Sequence, residues 1–383
     1  MTRIYLIRHA EAEGNLYRIA HGQYDSLITP RGYRQIAALS KRFEDIPVDA
    51  VYSSDLFRTK TTASAIYKPK GLELRPRSDL REIHIGIWED VRWVDLARCH
   101  NEMLQNFGRR MDIWKVPGAE TAEEVQKRML GAVYDMAEKH PGETVAAFSH
   151  GMAIRILLSK LEGHSLSEFY KTRNGDNTAV SLIEVEGDEI RIVFRDDNSH
   201  LLQEEDLSIF GKQSWWKDNS RGSEPGYWFR PFEEEKDGAL LGALKEEMGT
   251  DEAFFADLSR AAKESPAAVQ TVMEEENAVG LVFFGTEPCC DGTAAVKFLY
   301  TLPSCRGRGY GIQLIGQAVQ MFRPMGAERI CLSCPAEKDE ALRFFRNCGM
   351  KETARDEKTV QMELDIGFGE HTRCPLKMIE DRL

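Results

Sequence analysis

The chain has 383 residues, 42% hydrophobic and 29% charged, with a net charge of −12. That length exceeds one ordinary core and points to two domains, while the acidity argues against nucleic acid or an anionic membrane as a general partner. No apolar run is long enough to span a bilayer, and Met-Thr-Arg runs straight into a strand with no signal segment, so the 8 cysteines are expected to be reduced in a cytoplasmic setting.

In chain order, RIYLIRH reads as a buried strand, β-branched and aromatic, with Arg8 and His9 at its end. Two adjacent cationic side chains at a strand end are costly unless something anionic meets them. SLITPRGYRQIAALSKRFEDI begins with a turn and continues as an amphipathic helix. AVYSSD is a strand and a helix runs from Phe57 to Ile66. ETAEEVQKRMLGAVYDMAEKH is a long helix whose Thr121 is a good N-cap with acids in the first turn. ETVAAFSH is a strand, MAIRILLSKLEG a helix, and TAVSLIEVEG and EIRIVFRDD are strands that close the unit near residue 203. This alternation predicts a three-layer α/β domain over 1–203 with a parallel or mostly parallel sheet.

Residues 204–225 change character: charges, Gly, Ser and Pro mix with Trp215 and Trp216, and the stretch reads as a linker with a docked aromatic segment. A second α/β unit is expected over 226–383. It opens with strand YWFRPF and helices through ALLGALKEEM and EAFFADLSRAAKE. Strands TVMEEE, AVGLVFFG and AAVKFLYTLP come next, then a Gly/Arg-rich turn, helix IQLIGQAVQMFRPM, strand RICLSCP, helix EALRFFRNCG and final strands. Cys331 and Cys334 form a CxxC, but in an apolar strand-like run with no second pair at zinc spacing. They read as buried strand cysteines, and Cys289-Cys290 in a turn reads no differently.

The candidate chemistry of the first unit sits where strands end. Arg8, His9 and His150 fall at carboxyl ends of strands, where open α/β sheets gather their ligands. Arg58 in SSDLFRTKTTA and Glu82 in SDLREIHIGIWED follow other strand-like runs. Each alone is an ordinary solvated or strand-end residue. Together, two histidines, two arginines and an acid suit the holding and transfer of a phosphoryl group. Fixed cations stabilise the charge on its oxygens, an imidazole nitrogen carries it covalently, and a carboxylic acid protonates the departing alkoxide.

These stretches resemble the histidine phosphatase (phosphoglycerate mutase-like) superfamily. Its R-H-G, S-x-L-x-R-x-x-x-T, L-x-E and late S-H-G stretches are matched by RHA, SDLFRTKTTA, LREIHIGIWED and FSHG. GQYDSLITPRGYRQ and VPGAETAEEVQKR resemble its G-x-x-D-x-x-x-T-x-x-G-x-x-Q run and its later helix start, so that the likeness covers 1–203. The resemblance implies a three-layer α/β/α phosphoglycerate mutase-like fold. It makes His9 the phosphorylated nucleophile and Glu82 the proton donor. Arg8, Arg58, His150 and Gly151 would form the phosphate pocket, with Asn15 at its edge. Ala10 replaces the usual Gly and Ala12 the usual Thr or Ser, which adds a methyl and removes a hydroxyl near the phosphate. No metal is implied, because arginines and histidines already neutralise the phosphate, and EDTA-insensitive activity is expected. The mutases of the family carry a long insertion between the acid and the second histidine. The compact Glu82-to-His150 span therefore favours hydrolysis of a small-molecule phosphomonoester. Arg92, Arg98, His100, Arg109 and Arg110 fall in a stretch able to form a lid, but as solvated charges they are not assigned a role.

In the second unit, Arg306, Gly307, Arg308, Gly309, Tyr310 and Gly311 end a strand and open a helix, a loop whose N–H groups can converge on a pyrophosphate. The run resembles the R/Q-x-x-G-x-G/A motif of GCN5-related N-acetyltransferases, and EALRFFRNCGM resembles that family's A-x-x-x-Y-x-x-x-G-F. This implies a GNAT-like acyl-CoA fold with acetyl-CoA as cofactor. Pyrophosphate would sit on residues 306–311 and pantetheine against the strand end near Leu299, Thr301 and Leu302. Phe345 stands where the family has its tyrosine acid, so catalysis falls to Tyr310, another acid or solvent, or the domain binds acyl-CoA without efficient transfer. The whole reads as a bifunctional protein: a phosphatase fused to an acetyltransferase for an unknown amine. A mutase-like phosphotransferase is the alternative, as is one domain serving as an inert sensor or scaffold.

Overall fold

The computed structural model describes residues 1–202, 207, 226–249, 251–286 and 291–368. The chain divides into two compact units, Met1–Glu224 and Pro225–Leu383. Apart from Leu207, the expected linker with Trp215 and Trp216 lies outside the described residues, as does Cys289-Cys290.

The first unit is built on a six-stranded sheet of β1 (Thr2–Arg8), β2 (Ala50–Ser54), β3 (Leu74–Arg77), β4 (Thr144–Ser149), β5 (Val180–Glu186) and β6 (Glu189–Asp197), in the order β3-β2-β4-β1-β5-β6. The first four strands in that order run parallel and the last two are antiparallel. The short edge strand β3 is not legible in the sequence: LRPR carries two arginines and a proline, and only an edge position tolerates them. Seven helices join the strands: α1 (Glu13–Tyr17), α2 (Pro30–Arg42), α3 (Phe57–Lys70), α4 (Trp93–Cys99), α5 (Asn101–Asn106), α6 (Ala122–Lys139) and α7 (Gly151–Leu161).

Alternation along the strands makes the three layers. Ile4 and Leu6 of β1 and Val145 and Ala147 of β4 enter one core with Val125, Met129 and Val133 of α6 and Ile156 of α7. Ile7 of β1 and Ala146 and Phe148 of β4 enter the other, with Ile36 and Leu39 of α2 and Ala63 and Ile66 of α3. Thr29 caps α2 through Gly32 N–H, with Pro30 at the first helical position. Thr121 and Glu124 form a capping box on α6. The stretch expected to form a lid contains α4 and α5, held by the rings of Trp88, Trp93, Phe107 and Trp114.

The second unit has a seven-stranded sheet: β7 (Trp228–Pro231), β8 (Val269–Glu274), β9 (Asn277–Phe284), β10 (Thr293–Thr301), β11 (Arg329–Pro335), β12 (Lys351–Arg355) and β13 (Thr359–Asp365), in the order β12-β13-β11-β10-β9-β8-β7. Its helices are α8 (Gly238–Met248), α9 (Glu252–Glu264), α10 (Ile312–Phe322) and α11 (Asp339–Asn347). β10 and β11 pair in parallel only from Thr293 and Arg329 to Ala295 and Cys331. Beyond that point β10 pairs with β9, past a bulge between Val296 and Phe298, and β11 pairs with β13. The sheet therefore opens into a cleft between the carboxyl halves of β10 and β11. Cys331 and Cys334 both lie on β11, where an odd separation sends side chains to opposite faces. They cannot act as a CxxC pair there; Cys334 is buried as expected, whereas Cys331 is only half-buried. Among the described residues no helix is long and apolar enough to cross a membrane.

Candidate active site

The parallel register of β1 and β4 pairs Arg8 with Ser149. The next residues along the two strands are His9 and His150, so both imidazoles emerge at one strand end, with ring centroids 5.3 Å apart. Both are buried, at 2% and 0% exposure. His9 is held on every side. Its N–H donates to Ser149 O at 3.0 Å and its carbonyl accepts from Thr178 N–H at 3.2 Å. The same carbonyl accepts from Asn177 Nδ2 at 3.0 Å. Its Nδ1 lies 2.7 Å from Ala10 O, and since a carbonyl only accepts, Nδ1 carries the proton. The lone pair is left on Nε2. Burial, then the Arg58 and Arg8 cations, hold the His9 pKa well below the usual imidazole range.

Arg58, on α3, is wholly buried. It donates to Tyr24 O at 2.9 Å and Gly22 O at 2.6 Å, and Asp25 lies 3.6 Å from it. Arg8 donates to Gly175 O at 2.7 Å. Its guanidinium also lies over Gly151, where a Cβ would sit 3.1 Å from Nε. A side chain there would push the guanidinium by a few tenths of an ångström, and Gly151 opens α7 directly after His150. His150 Nε2 meets Ser54 Oγ at 2.9 Å. Three buried nitrogens in this cluster have no hydrogen-bond partner: Arg8 Nε, Arg58 Nε and His150 Nδ1. Buried polar groups are normally satisfied, so a set of orphans beside a buried histidine marks the seat of an anion.

Glu82 is drawn to the N-terminus of α7. Its carboxylate accepts from Ala153 N–H at 2.7 Å, Met152 N–H at 3.0 Å and Ile83 N–H at 3.0 Å. Burial raises its pKa, and the three N–H groups only partly offset that. Asn15 Oδ1 accepts from Ala12 N–H at 3.1 Å and from Asn177 Nδ2 at 3.3 Å. This fixes the amide and leaves its own Nδ2 without a protein partner. All seven residues expected at this site therefore belong to one cluster.

Two further members of the cluster carry no recognisable motif. His21 stands 5.9 Å from His9, ring to ring, packed where Gly14 has no side chain. Burial and the cations Arg58 and Arg8 hold it, too, well below the usual imidazole range. Its signal was the AHG tripeptide ahead of the Gly-x-x-Asp run, too short to weigh alone. Asn177, which clamps His9 and Asn15, lies in a loop before β5 that carries no motif.

In the second unit, Arg306–Gly311 join β10 to α10 through a loop in which Gly307 and Gly309 take φ of 73° and 82°. Among the described residues, the N–H groups of residues 307–311 have no hydrogen-bond acceptor. Five successive free donors at a helix N-terminus fit a pyrophosphate. The two arginines do not add their charge freely. Arg306 is paired with Glu247 at 2.8 Å and Arg308 with Glu274, while Arg306 Nε also donates to Thr301 O at 2.9 Å. Leu299 and Thr301 pair with β9 on one side, and their other side faces the cleft. Tyr310 packs on Tyr227 at 5.3 Å, and Phe345 is buried on α11.

The model of the histidine phosphatase superfamily, branch 1, matches residues 4–198. The chain belongs to that superfamily. Residues 190–350 match the acetyltransferase (GNAT) family. A Hydrogenobacter thermophilus protein provisionally named phosphoserine phosphatase 2 is 29% identical over 203 residues, 53% of this chain and 99% of that protein. A Cronobacter sakazakii protein provisionally named phosphoglycerate mutase GpmB is 31% identical over 163 residues, 43% of this chain and 76% of that protein. Among solved structures, Bacillus stearothermophilus YhfR is similar with a TM-score of 0.51 and 28% identity, covering 52% of this chain and 99% of its own. The fusion expected from the motifs is thus present, with a histidine phosphatase fold in the first unit and a GNAT domain in the second.

Proposed function

We propose that the first unit hydrolyses a small phosphomonoester through phospho-His9. One observation carries the reading: the buried nitrogens of Arg8, Arg58 and His150 lack partners, and they surround a histidine whose Nε2 is free. His9 Nε2 attacks phosphorus and forms the N–P bond as the P–O bond to the alcohol breaks. The orphan donors of Arg8 and Arg58 take charge from the phosphoryl oxygens. We assign Ser54 O–H as the donor to His150 Nε2, which puts the proton on Nδ1 and makes it a third donor to the same oxygens. Asn15 Nδ2 is a fourth. Glu82, held towards its protonated form by burial, gives its proton to the leaving alkoxide. The resulting carboxylate then takes a proton from water, which attacks phosphorus, breaks the N–P bond and frees His9.

The relatives' names divide between phosphatase and mutase, and the short Glu82-to-His150 span supports hydrolysis. The test is end-point release of phosphate from a panel including phosphoserine, 3-phosphoglycerate and p-nitrophenyl phosphate. His9→Ala is expected to lower release by about 10³-fold or more. Isomerised product in place of phosphate would establish the mutase reading.

The second unit is proposed to bind acetyl-CoA, with pyrophosphate on the N–H groups of residues 307–311 and pantetheine along the open edge at Leu299 and Thr301. When bound, the cofactor supplies an activated thioester, for transfer to an amine. Phe345 favours a second reading, binding without efficient transfer, because α11 offers no hydroxyl at that position. Tyr310 stands on the proposed pyrophosphate loop, its ring packed on Tyr227. Calorimetry with acetyl-CoA tests binding, and thiol release with amines derived from the best phosphatase products tests transfer. If none of those products carries an acylable amine, linked steps on one metabolite are excluded. A soluble cytoplasmic setting accords with this small-molecule chemistry.

A further inference from the structure

Beyond β6, two described residues bond to groups that in turn hold the nucleophile loop. The first is His200, buried in the short turn after β6. Arg42, which is paired with Asp197 at 2.6 Å, points its Nη1 at His200 Nδ1 from 3.2 Å. A guanidinium only donates, so Nδ1 is the acceptor and Nε2 carries the proton. That Nε2–H donates to Thr178 Oγ1 at 3.0 Å, and Thr178 O–H donates in turn to Asn177 O at 2.7 Å. Asn177 is the residue whose Nδ2 holds His9 O and Asn15 Oδ1. Thr178 sits at φ 60°, a left-handed conformation that a β-branched residue keeps only when its surroundings hold it.

The second is Leu207, itself buried. Its carbonyl accepts from Gln35 Nε2 at 2.7 Å, and Gln35 Oε1 accepts from Glu11 N–H at 2.8 Å, two residues past His9. Gln35 is wholly buried, so each end of its amide needs that partner. Both His200 and Leu207 lie beyond residue 198, where the match to the phosphatase family ends.

We propose that two residues after β6 belong to the phosphatase site: His200, a positioning residue that sets His9 and Asn15 through Thr178 and Asn177, and Leu207, a second brace through Gln35. The inference rests on the phosphatase reading above.

The test uses the full chain and p-nitrophenyl phosphate. His200→Leu removes the donor to Thr178 and is expected to lower kcat by about 10- to 100-fold, the range a small misplacement of a reacting group produces. His200→Gln, whose amide oxygen can accept from Arg42 and whose NH2 can donate to Thr178, should restore kcat to within about threefold of wild type. A merely structural role predicts no such rescue, only lost melting temperature. A folded His200→Leu protein with wild-type kcat, or a His200→Gln protein as slow as His200→Leu, overturns the proposal. If His200→Leu does not fold, Thr178→Ala breaks the same chain in its middle and is held to the same loss. Should the wild type release no phosphate, the functional reading has failed, and the brace is read instead from calorimetric affinity for inorganic phosphate. Weaker binding by His200→Leu then upholds it, and unchanged binding overturns it.

Discussion

A histidine nucleophile needs a lone pair, a fixed ring and a charge state that leaves the lone pair available. His9 has all three: Nδ1–H is held by Ala10 O, the peptide is clamped on both sides, and burial with Arg58 and Arg8 disfavours the imidazolium. Its pKa is depressed, so the unprotonated form persists as pH falls below the ordinary value of 6.5. The acid limb of kcat/KM that reports His9 should accordingly lie below pH 6.5. A pH–rate profile checks this, and a limb centred above that value counts against His9 as an unprotonated nucleophile. His200 makes the matching statement about stability. Burial, reinforced by Arg42, lowers its pKa to about 4 in the folded chain. A depressed pKa contributes stability that is full above the unfolded value of 6.5 and is lost as pH falls towards about 4. Over that window the unfolded chain binds the proton that the folded chain refuses. Ala10, the departure from the family's usual glycine, donates its N–H to Thr62 Oγ1 at 2.9 Å and is wholly buried, so the extra methyl is packed rather than strained.

At the scale of elements, α6 does more than cover the sheet. Arg128 on its inner face donates to Asp79 O at 2.9 Å, Arg81 O at 2.6 Å and Glu82 O at 3.0 Å. Its other bonds go to Glu120, at 2.6 and 2.9 Å. The helix thus grips the backbone of the loop that presents the acid. Arg128→Met should lower kcat by about tenfold, since three carbonyls lose their donor and the Glu82 carboxyl loses its aim. The readout is kcat against KM. A change confined to KM would mean that Arg128 acts on substrate binding rather than on proton delivery. Helix N-termini recur as the working parts. The start of α7 takes Glu82, and the start of α10 is the proposed seat of a pyrophosphate.

For the molecule as a whole, two units with separate cores carry two kinds of proposed anion seat. In the first the donors are side-chain nitrogens buried without partners; in the second they are main-chain N–H groups on a glycine loop. The difference predicts different sensitivities. Gly309 sits at φ 82°, so Gly309→Val should distort the loop and weaken acetyl-CoA binding by about tenfold or more. In the wild type, acetyl-CoA at about 100 times its Kd should stabilise the unit that binds it by about 2.7 kcal/mol. Thermal melts with and without acetyl-CoA check both, and an equal shift in the two proteins would remove the loop from the binding site.

The motifs alone named His9, Arg8, Arg58, Glu82, His150, Asn15 and Gly151, and the alternation of strands and helices named both α/β units. Those features are local. A catalytic side chain must be of one type at one strand end, and amphipathic periods are written in a few turns of chain. Tertiary structure alone decided the rest. The pairing of Arg8 with Ser149 sets His9 beside His150. β3, with its arginines and proline, becomes a strand only because β2 offers an edge. His21, Asn177, His200 and Leu207 carry no periodic or motif signal, because their partners lie 12 to 172 residues away in sequence in no fixed spacing. Which buried donors end without a partner, and so where an anion belongs, is a property of packing that no stretch of sequence states by itself.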